Sequence, residues 1–134
     1  MLNFCTLFNT NYLSRGLALY QSLEKVCTSF HLYVFAFDDD CYNYLADHPL
    51  PHLTVISLHE FEYPALLGVK PSRSMAEYCW TSTPFTILYC LEKFNLPDCT
   101  YLDADLVFYN NPQVLIDEMG HKSCLISLHK TEEG

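Results

Sequence analysis

Residues 31–37 read His-Leu-Tyr-Val-Phe-Ala-Phe, and the run ends at three aspartates, Asp38, Asp39 and Asp40. Nearly every side chain in this run is apolar, so it lacks the polar and apolar alternation of a strand with one face in water. A short apolar run bounded by polar residues is typical of a strand that is buried on both faces. Such strands occur in parallel sheets covered by helices, so this stretch predicts an α/β protein.

Further apolar runs alternate with helical patterns along the chain. The other runs that predict strands lie at residues 3–8, 53–57, 100–102 and 123–128. Helical patterns lie after residue 11 (with Leu13, Leu17, Tyr20 and Leu23 on one stripe), at 41–47, within 74–94 and at 112–119. Buried strands separated by helices indicate a three-layer α/β/α arrangement around a mostly parallel sheet. Ligands bind such sheets beyond the carboxyl ends of the strands.

Residues 58–73 carry no clear period. Pro64, Gly68 and Pro71 interrupt the segment. Because proline removes a helical hydrogen bond and clashes with the preceding turn, it breaks a helix when it lies in the interior. We therefore expect a loop here, with one helical turn at most.

Pro84 lies in the middle of the helical pattern at residues 74–94. Proline is well tolerated at the first position of a helix, and Thr83 before it is a suitable N-cap. We therefore expect a new helix to begin at Pro84. Its buried side is predicted to carry Ile87, Leu88, Leu91 and Phe94.

Composition limits the classes of function that the chain can have. It has 134 residues, is 50% hydrophobic and carries a formal net charge of −9. This length suits one domain, and the apolar content is too high for a disordered chain. The acidity argues against nucleic acid or an anionic membrane as the main partner, because both need a basic face. No apolar run approaches the ~20 residues of a transmembrane helix.

The seven cysteines are spread along the chain, and no two of them form a Cys-x-x-Cys pair. Their number is odd, which does not suit a framework of disulfides. The start of the chain also lacks the basic segment and cleavage site of a signal peptide. We therefore expect reduced, buried thiols in a cytoplasmic protein, without a zinc ribbon.

The most informative polar motif is Asp103-Ala104-Asp105, which directly follows the predicted strand at 100–102. Two carboxylates separated by one small residue can bind a hard divalent cation if the turn aims both in the same direction. Mn²⁺ and Mg²⁺ prefer oxygen ligands and keep positions open for phosphate. Two residues make a weak motif, however, and the aspartates could equally cap the following turn.

Two further polar clusters follow the first and second predicted strands. Asn9, Thr10, Asn11 and Tyr12 offer amides, a hydroxyl and a ring that could read a ribose or a base. These residues could instead cap the next helix, with the tyrosine packed on the sheet. The carboxylates at 38–40 could bind a metal or a sugar hydroxyl, or form a solvated loop with one helix cap.

These motifs together resemble a known enzyme family. Residues 100–107 (Thr-Tyr-Leu-Asp-Ala-Asp-Leu-Val) resemble the Asp-x-Asp strand of nucleotide-sugar glycosyltransferases with the Rossmann-like GT-A fold. Residues 8–12 (Phe-Asn-Thr-Asn-Tyr), followed by a helix ending near Gln21-Ser22-Leu23, are similar to the opening of the glycogenin and lipopolysaccharide galactosyltransferase group. The resemblance covers nearly the whole chain.

The resemblance implies a site and a cofactor. In that group the two aspartates bind Mn²⁺, which holds the diphosphate of the donor, so Asp103 and Asp105 are the implied metal ligands. Asn11 and Tyr12 are implied to touch the nucleotide, with the tyrosine ring against the base. The full set of predicted nucleotide-sugar-binding residues is Asn9, Thr10, Asn11, Tyr12, Asp38, Asp39, Asp103, Ala104 and Asp105.

The implied reaction is metal-dependent transfer of a hexosyl group from a UDP-sugar to a hydroxyl of a glycan, lipid or protein. These enzymes continue beyond the Asp-x-Asp strand, so we expect residues 1–134 to form the donor-binding part, with the acceptor-binding part missing. A hydrophobic strand followed by Asp-x-Asp also marks aspartyl-phosphate hydrolases, in which the first aspartate is the nucleophile. A truncated, non-catalytic nucleotide-binding domain is the other alternative.

Overall fold

Four parallel strands form one sheet at the centre of the computed structural model, which describes residues 1–120. The strands are β1 (Leu2–Phe8), β2 (Phe30–Ala36), β3 (Leu53–Ser57) and β4 (Thr100–Tyr101). Their order in the sheet is β3-β2-β1-β4, and every neighbouring pair is parallel. The predicted α/β fold with a parallel sheet is confirmed, and it is Rossmann-like. The predicted strand at 123–128 lies outside the described residues.

Helices cover both faces of this sheet. They are α1 (Leu13–Val26), α2 (Asp39–Asp47), α3 (Leu58–Phe61), α4 (Pro64–Val69), α5 (Met75–Lys93) and α6 (Gln113–Met119). Side chains of β1 alternate between two cores, since Phe4 packs with α1 and α2 whereas Cys5 packs with α3, α4 and α5. This alternation is the period of a strand that is buried on both faces. Among residues 1–120, no helix is both long and apolar enough to cross a membrane.

The expectation of a loop at residues 58–73 is wrong, because most of this segment is helical. The Ser57 side chain accepts a hydrogen bond from the Glu60 backbone N–H and so caps α3. Pro64 occupies the first turn of α4, where its missing N–H costs nothing. The buried side chains of Phe61 and Leu66 then hold both short helices against the sheet. Proline starts a helix here rather than breaking one.

The expected helix start at Pro84 is also wrong, since α5 runs through this residue without a break. The helix begins at Met75, directly after its N-cap Ser74, whose side chain forms a reciprocal capping box with that of Glu77. Further on, the Thr83 hydroxyl donates to the Cys79 carbonyl at 3.0 Å, close to the proline. An interior proline costs about 3 kcal/mol, which the packing of α5 against β1 must outweigh.

The continuous helix buries a different face from the one predicted. Its buried residues are Tyr78, Ser82, Thr86, Tyr89 and Cys90. In contrast, Leu88 and Phe94 are 40% and 37% exposed, although the apolar pattern placed them on the buried side. The buried set recurs every three or four residues along the whole helix, as expected for one face of a single α-helix. A pattern that is divided at Pro84 cannot reveal this face.

Candidate functional site

A cavity of about 440 Å³ lies where β1 and β4 end, beside the first half of α5. It is lined by Leu7, Phe8, Asn9, Tyr12, Met75, Ala76, Cys79, Trp80, Thr83, Tyr101, Asp103, Ala104 and Asp105. The carboxyl ends of parallel strands are the usual ligand site of such sheets. The structure therefore brings five of the predicted site residues to one cavity, from two segments that are far apart in the sequence.

The first wall of the cavity is the helical turn that follows β1. The Asn9 side-chain oxygen accepts a hydrogen bond from the Asn11 backbone N–H at 3.0 Å and so caps the turn at 10–12. This turn brings Tyr12 to the cavity with 44% of its surface exposed. The guanidinium of Arg15 lies 4.9 Å from the centre of the Tyr12 ring. Asn9 thus has the capping role, while Tyr12 keeps a ring face that is open to a ligand.

The position of this wall depends on a close approach between α1 and β1. A Cβ atom added at Gly16 would lie 2.4 Å from the Phe8 ring, far inside van der Waals contact. Phe8 is buried and is also one of the residues that line the cavity. Glycine at position 16 therefore allows α1 to lie directly on the end of β1.

The second wall is the Asp-x-Asp turn after β4. Leu102 is buried and extends the pairing of β4, because its backbone N–H donates to the Cys5 carbonyl at 2.8 Å. The Leu106 N–H then donates to the Asp103 carbonyl at 3.1 Å, which closes a turn around the motif. Asp103 and Asp105 are both exposed at the cavity.

The chain beyond the motif is fixed to α1. The Phe108 N–H donates to the hydroxyl of Ser22 at 3.0 Å, and the Phe108 ring packs 6.5 Å from that of Phe4. Ala104, between the two aspartates, packs against the same core. The turn is therefore held at both ends and in the middle, and both exposed aspartates line the cavity.

The donors of this turn suit a hard divalent cation. Asp103 and Asp105 supply carboxylate oxygens, the ligands that Mn²⁺ and Mg²⁺ prefer. Within residues 1–120, no third carboxylate, histidine or thiol clusters with them. A cation held by two protein carboxylates would keep coordination positions open for phosphate oxygens. The residues present thus fit the implied metal.

The third wall comes from α5 and was missed in the sequence. Its residues Met75, Ala76, Cys79, Trp80 and Thr83 recur at helical spacing, and the Trp80 side chain is 73% exposed. Burial raises the pKa of Cys79, so this thiol stays protonated at neutral pH and is no ready nucleophile. Their helical spacing was visible in the sequence, but the sequence does not show that this face of α5 lies beside the ends of β1 and β4.

The remaining predicted residues, Thr10, Asn11, Asp38 and Asp39, do not line the cavity. Asp38 accepts hydrogen bonds from the backbone and hydroxyl of Thr10 and caps α2 through the Cys41 N–H. Burial opposes its ionisation, but these hydrogen bonds outweigh burial and lower the pKa of Asp38. Asp39 is exposed in the first turn of α2.

Comparison with known proteins gives two relatives and no matching family model. The chain is similar to Uncharacterized protein YfnD of Bacillus subtilis (strain 168), with 32% identity over 131 residues. It is also similar to Uncharacterized protein YfnF of the same organism, with 30% identity over 125 residues. These matches cover 96% and 92% of this chain but 42% and 41% of the relatives. The chain thus spans about two fifths of the length of these relatives.

Proposed function

We propose that this chain is the donor-binding part of a GT-A-type glycosyltransferase that uses a UDP-sugar and a divalent cation. The reaction would transfer a hexosyl group to a hydroxyl acceptor. The observation that carries the proposal is the shared cavity, where Tyr12 and the Asp103–Asp105 turn face the same space. A nucleotide diphosphate needs such a pair of features, namely a flat surface for the base and a centre for the phosphates.

Each wall then has a role in binding the donor. The exposed ring of Tyr12 would stack on the base, and Arg15 on that ring stiffens its position. The Asn9 oxygen is occupied by capping, which leaves its amide N–H groups to donate to the nucleotide. The volume of about 440 Å³ is typical of small-molecule sites.

The carboxylates of Asp103 and Asp105 would hold the cation. When bound there, Mn²⁺ or Mg²⁺ would neutralise the donor diphosphate and stabilise negative charge on the leaving group. A protein with a net charge of −9 repels a diphosphate. The bound cation would reduce this repulsion.

The role of Asp38 in this proposal is to position the Tyr12 wall. Its carboxylate already accepts three hydrogen bonds, two from Thr10 and one from Cys41. It therefore has little remaining capacity to bind a sugar hydroxyl itself. Asp39 is exposed beside it in the first turn of α2, outside the cavity, so it has no role in the proposal.

Calorimetric titration of the chain with a panel of nucleotides in excess Mn²⁺ tests this function. UDP and UDP-hexoses are expected to bind at one site, with ADP and GDP at least about tenfold weaker. Equal affinity for all three nucleotide bases would contradict the assignment to a UDP-sugar enzyme.

Incubation with acetyl phosphate followed by mass spectrometry tests the alternative function, an aspartyl-phosphate hydrolase. A phosphoryl adduct on Asp103 would overturn the transferase.

A further inference from the structure

Three cysteines that are remote in sequence meet in the core between the sheet and α5. Cys5 lies on β1, Cys90 lies near the end of α5, and Cys99 directly precedes β4. Their three sulfur atoms all lie within 4.8 Å of one another. Cys5 and Cys90 are fully buried, whereas Cys99 is half-buried. The cluster therefore has one side that solutes can reach.

The cluster is separate from the cavity at the ends of the strands. Cys5 precedes Phe8 by three positions in β1, which corresponds to about 10 Å along a strand. None of the three residues lines that cavity. The two places also differ in chemistry, because the turn at 103–105 offers hard oxygen donors and the cluster offers soft sulfur donors.

A polar side chain of α5 lies beside the cluster. The Thr86 hydroxyl lies 3.6 Å from the Cys5 sulfur and donates to the Thr83 carbonyl. Cysteine binds metals as the thiolate, so a metal that enters the cluster would displace the thiol protons.

The spacing of the sulfur atoms suits one metal ion. Sulfur ligands about 2.3 Å from a tetrahedral Zn²⁺ lie roughly 3.8 Å apart, so the cluster needs to contract by about 1 Å at most. A disulfide needs an S–S distance of about 2.05 Å and would leave the third thiol without a partner. We propose that Cys5, Cys90 and Cys99 form a three-thiolate site for a soft cation such as Zn²⁺.

In this site the metal would be structural. It would join β1, α5 and the start of β4, the short strand that leads into the Asp103 turn. Its fourth position would be filled by the Thr86 hydroxyl or by a water that enters beside Cys99. Three thiolates with Zn²⁺ carry a net charge of −1, whereas three thiolates with Cu⁺ carry −2. Because burial of charge is costly, the site favours Zn²⁺ over Cu⁺.

The test is a titration of the reduced, chelator-treated chain with Co²⁺ and then Zn²⁺. Co²⁺ is expected to give a thiolate charge-transfer band at one equivalent, and Zn²⁺ to abolish it. Cys99→Ala should weaken binding by at least about 100-fold, because the loss of a ligand exceeds the loss of a supporting contact. Cys27→Ala is the matched control, since Cys27 is a buried free thiol in the other core.

No charge-transfer band in the wild type, or an equal band in Cys99→Ala, would overturn the site. Circular dichroism of each variant confirms that it is folded. A second measurement needs no variant at all: Zn²⁺ should slow the labelling of Cys99 by iodoacetamide but leave the labelling rate of Cys79, which is also half-buried, unchanged. Equal labelling of Cys99 with and without Zn²⁺ would also contradict the proposal.

Discussion

Thr10 donates two hydrogen bonds to the Asp38 carboxylate, one from its hydroxyl at 2.6 Å and one from its backbone N–H at 2.9 Å. The pair joins the segment after β1 to the segment after β2, at the edge of the sheet where the cavity lies. Because the turn at 10–12 positions Tyr12, Asp38 fixes one wall of the cavity from outside it. Asp38, which the sequence placed among the predicted donor-binding residues, thus has a structural role.

Asp38→Ala is expected to destabilise the protein by about 2 kcal/mol, the sum of a lost helix cap and lost hydrogen bonds to Thr10. Chemical denaturation measures this change in the free energy of unfolding. Asp40→Ala is the control, because this exposed residue of α2 should cost only about 0.5 kcal/mol. Equal effects of the two substitutions would contradict the role assigned to Asp38.

Glu62 predicts a pH dependence of stability. Burial opposes its ionisation, but hydrogen bonds from Lys70 and Tyr78 outweigh burial and lower its pKa. A carboxyl whose pKa is lower in the folded state stabilises the protein above its unfolded pKa, about 4.3, and loses this contribution as pH falls through the folded value. Unfolding measured between pH 7 and pH 2 should therefore depend less on pH in Glu62→Gln. If Glu62→Gln and the wild type lose the same unfolding free energy as the pH falls, Glu62 does not have this role.

Gly16→Ala is expected to lower stability by about 1 kcal/mol. Overpacking against the Phe8 ring costs roughly 1–3 kcal/mol, which exceeds the gain of about 1 kcal/mol in helix propensity. Gly68→Ala is the matched control, because a Cβ atom there meets nothing within 4 Å and should stabilise α4. Phe8→Leu should relieve this clash, so the double variant should lose less stability than the sum of the two single variants. A loss equal to that sum would contradict the clash between Gly16→Ala and the Phe8 ring.

Tyr12 predicts a stacking contribution to nucleotide affinity. Tyr12→Ala should weaken UDP binding about fivefold or more, since stacking of a base on an aromatic ring is worth roughly 1–3 kcal/mol. Tyr12→Phe keeps the ring and should bind UDP as the wild type does. Calorimetry in excess Mn²⁺ measures both affinities, and an unchanged affinity in Tyr12→Ala would place the base elsewhere.

The central sheet was predictable because its signals are local. The apolar run at 31–37 and the aspartates after it fix a strand and its carboxyl end without any tertiary information. The rule that ligands bind at this edge then connects the segments after β1 and β4. Five of the nine predicted site residues line the cavity for this reason.

The features that could not be predicted from the sequence depend on contacts between distant residues. Pro84 is a helix breaker by propensity, and only the packing of α5 on β1 keeps the helix continuous. The α5 wall of the cavity, including Trp80, was missed because the position of this helix beside the end of β1 is set by tertiary packing. The grouping of Cys5 with Cys90 and Cys99 was equally invisible, because no short spacing marks thiols from a strand, a helix and a loop.

The metal dependence of UDP affinity shows whether the aspartate turn holds a cation that binds the diphosphate. UDP is titrated with and without Mn²⁺ into the wild type, Asp103→Asn and Asp47→Asn. Asp47→Asn is the control, because it makes the same change in charge at an exposed residue at the far end of α2. Mn²⁺ should raise UDP affinity at least about tenfold in the wild type and in Asp47→Asn, but not in Asp103→Asn. Tight UDP binding that is the same with and without Mn²⁺, and unaffected by Asp103→Asn, would contradict the account.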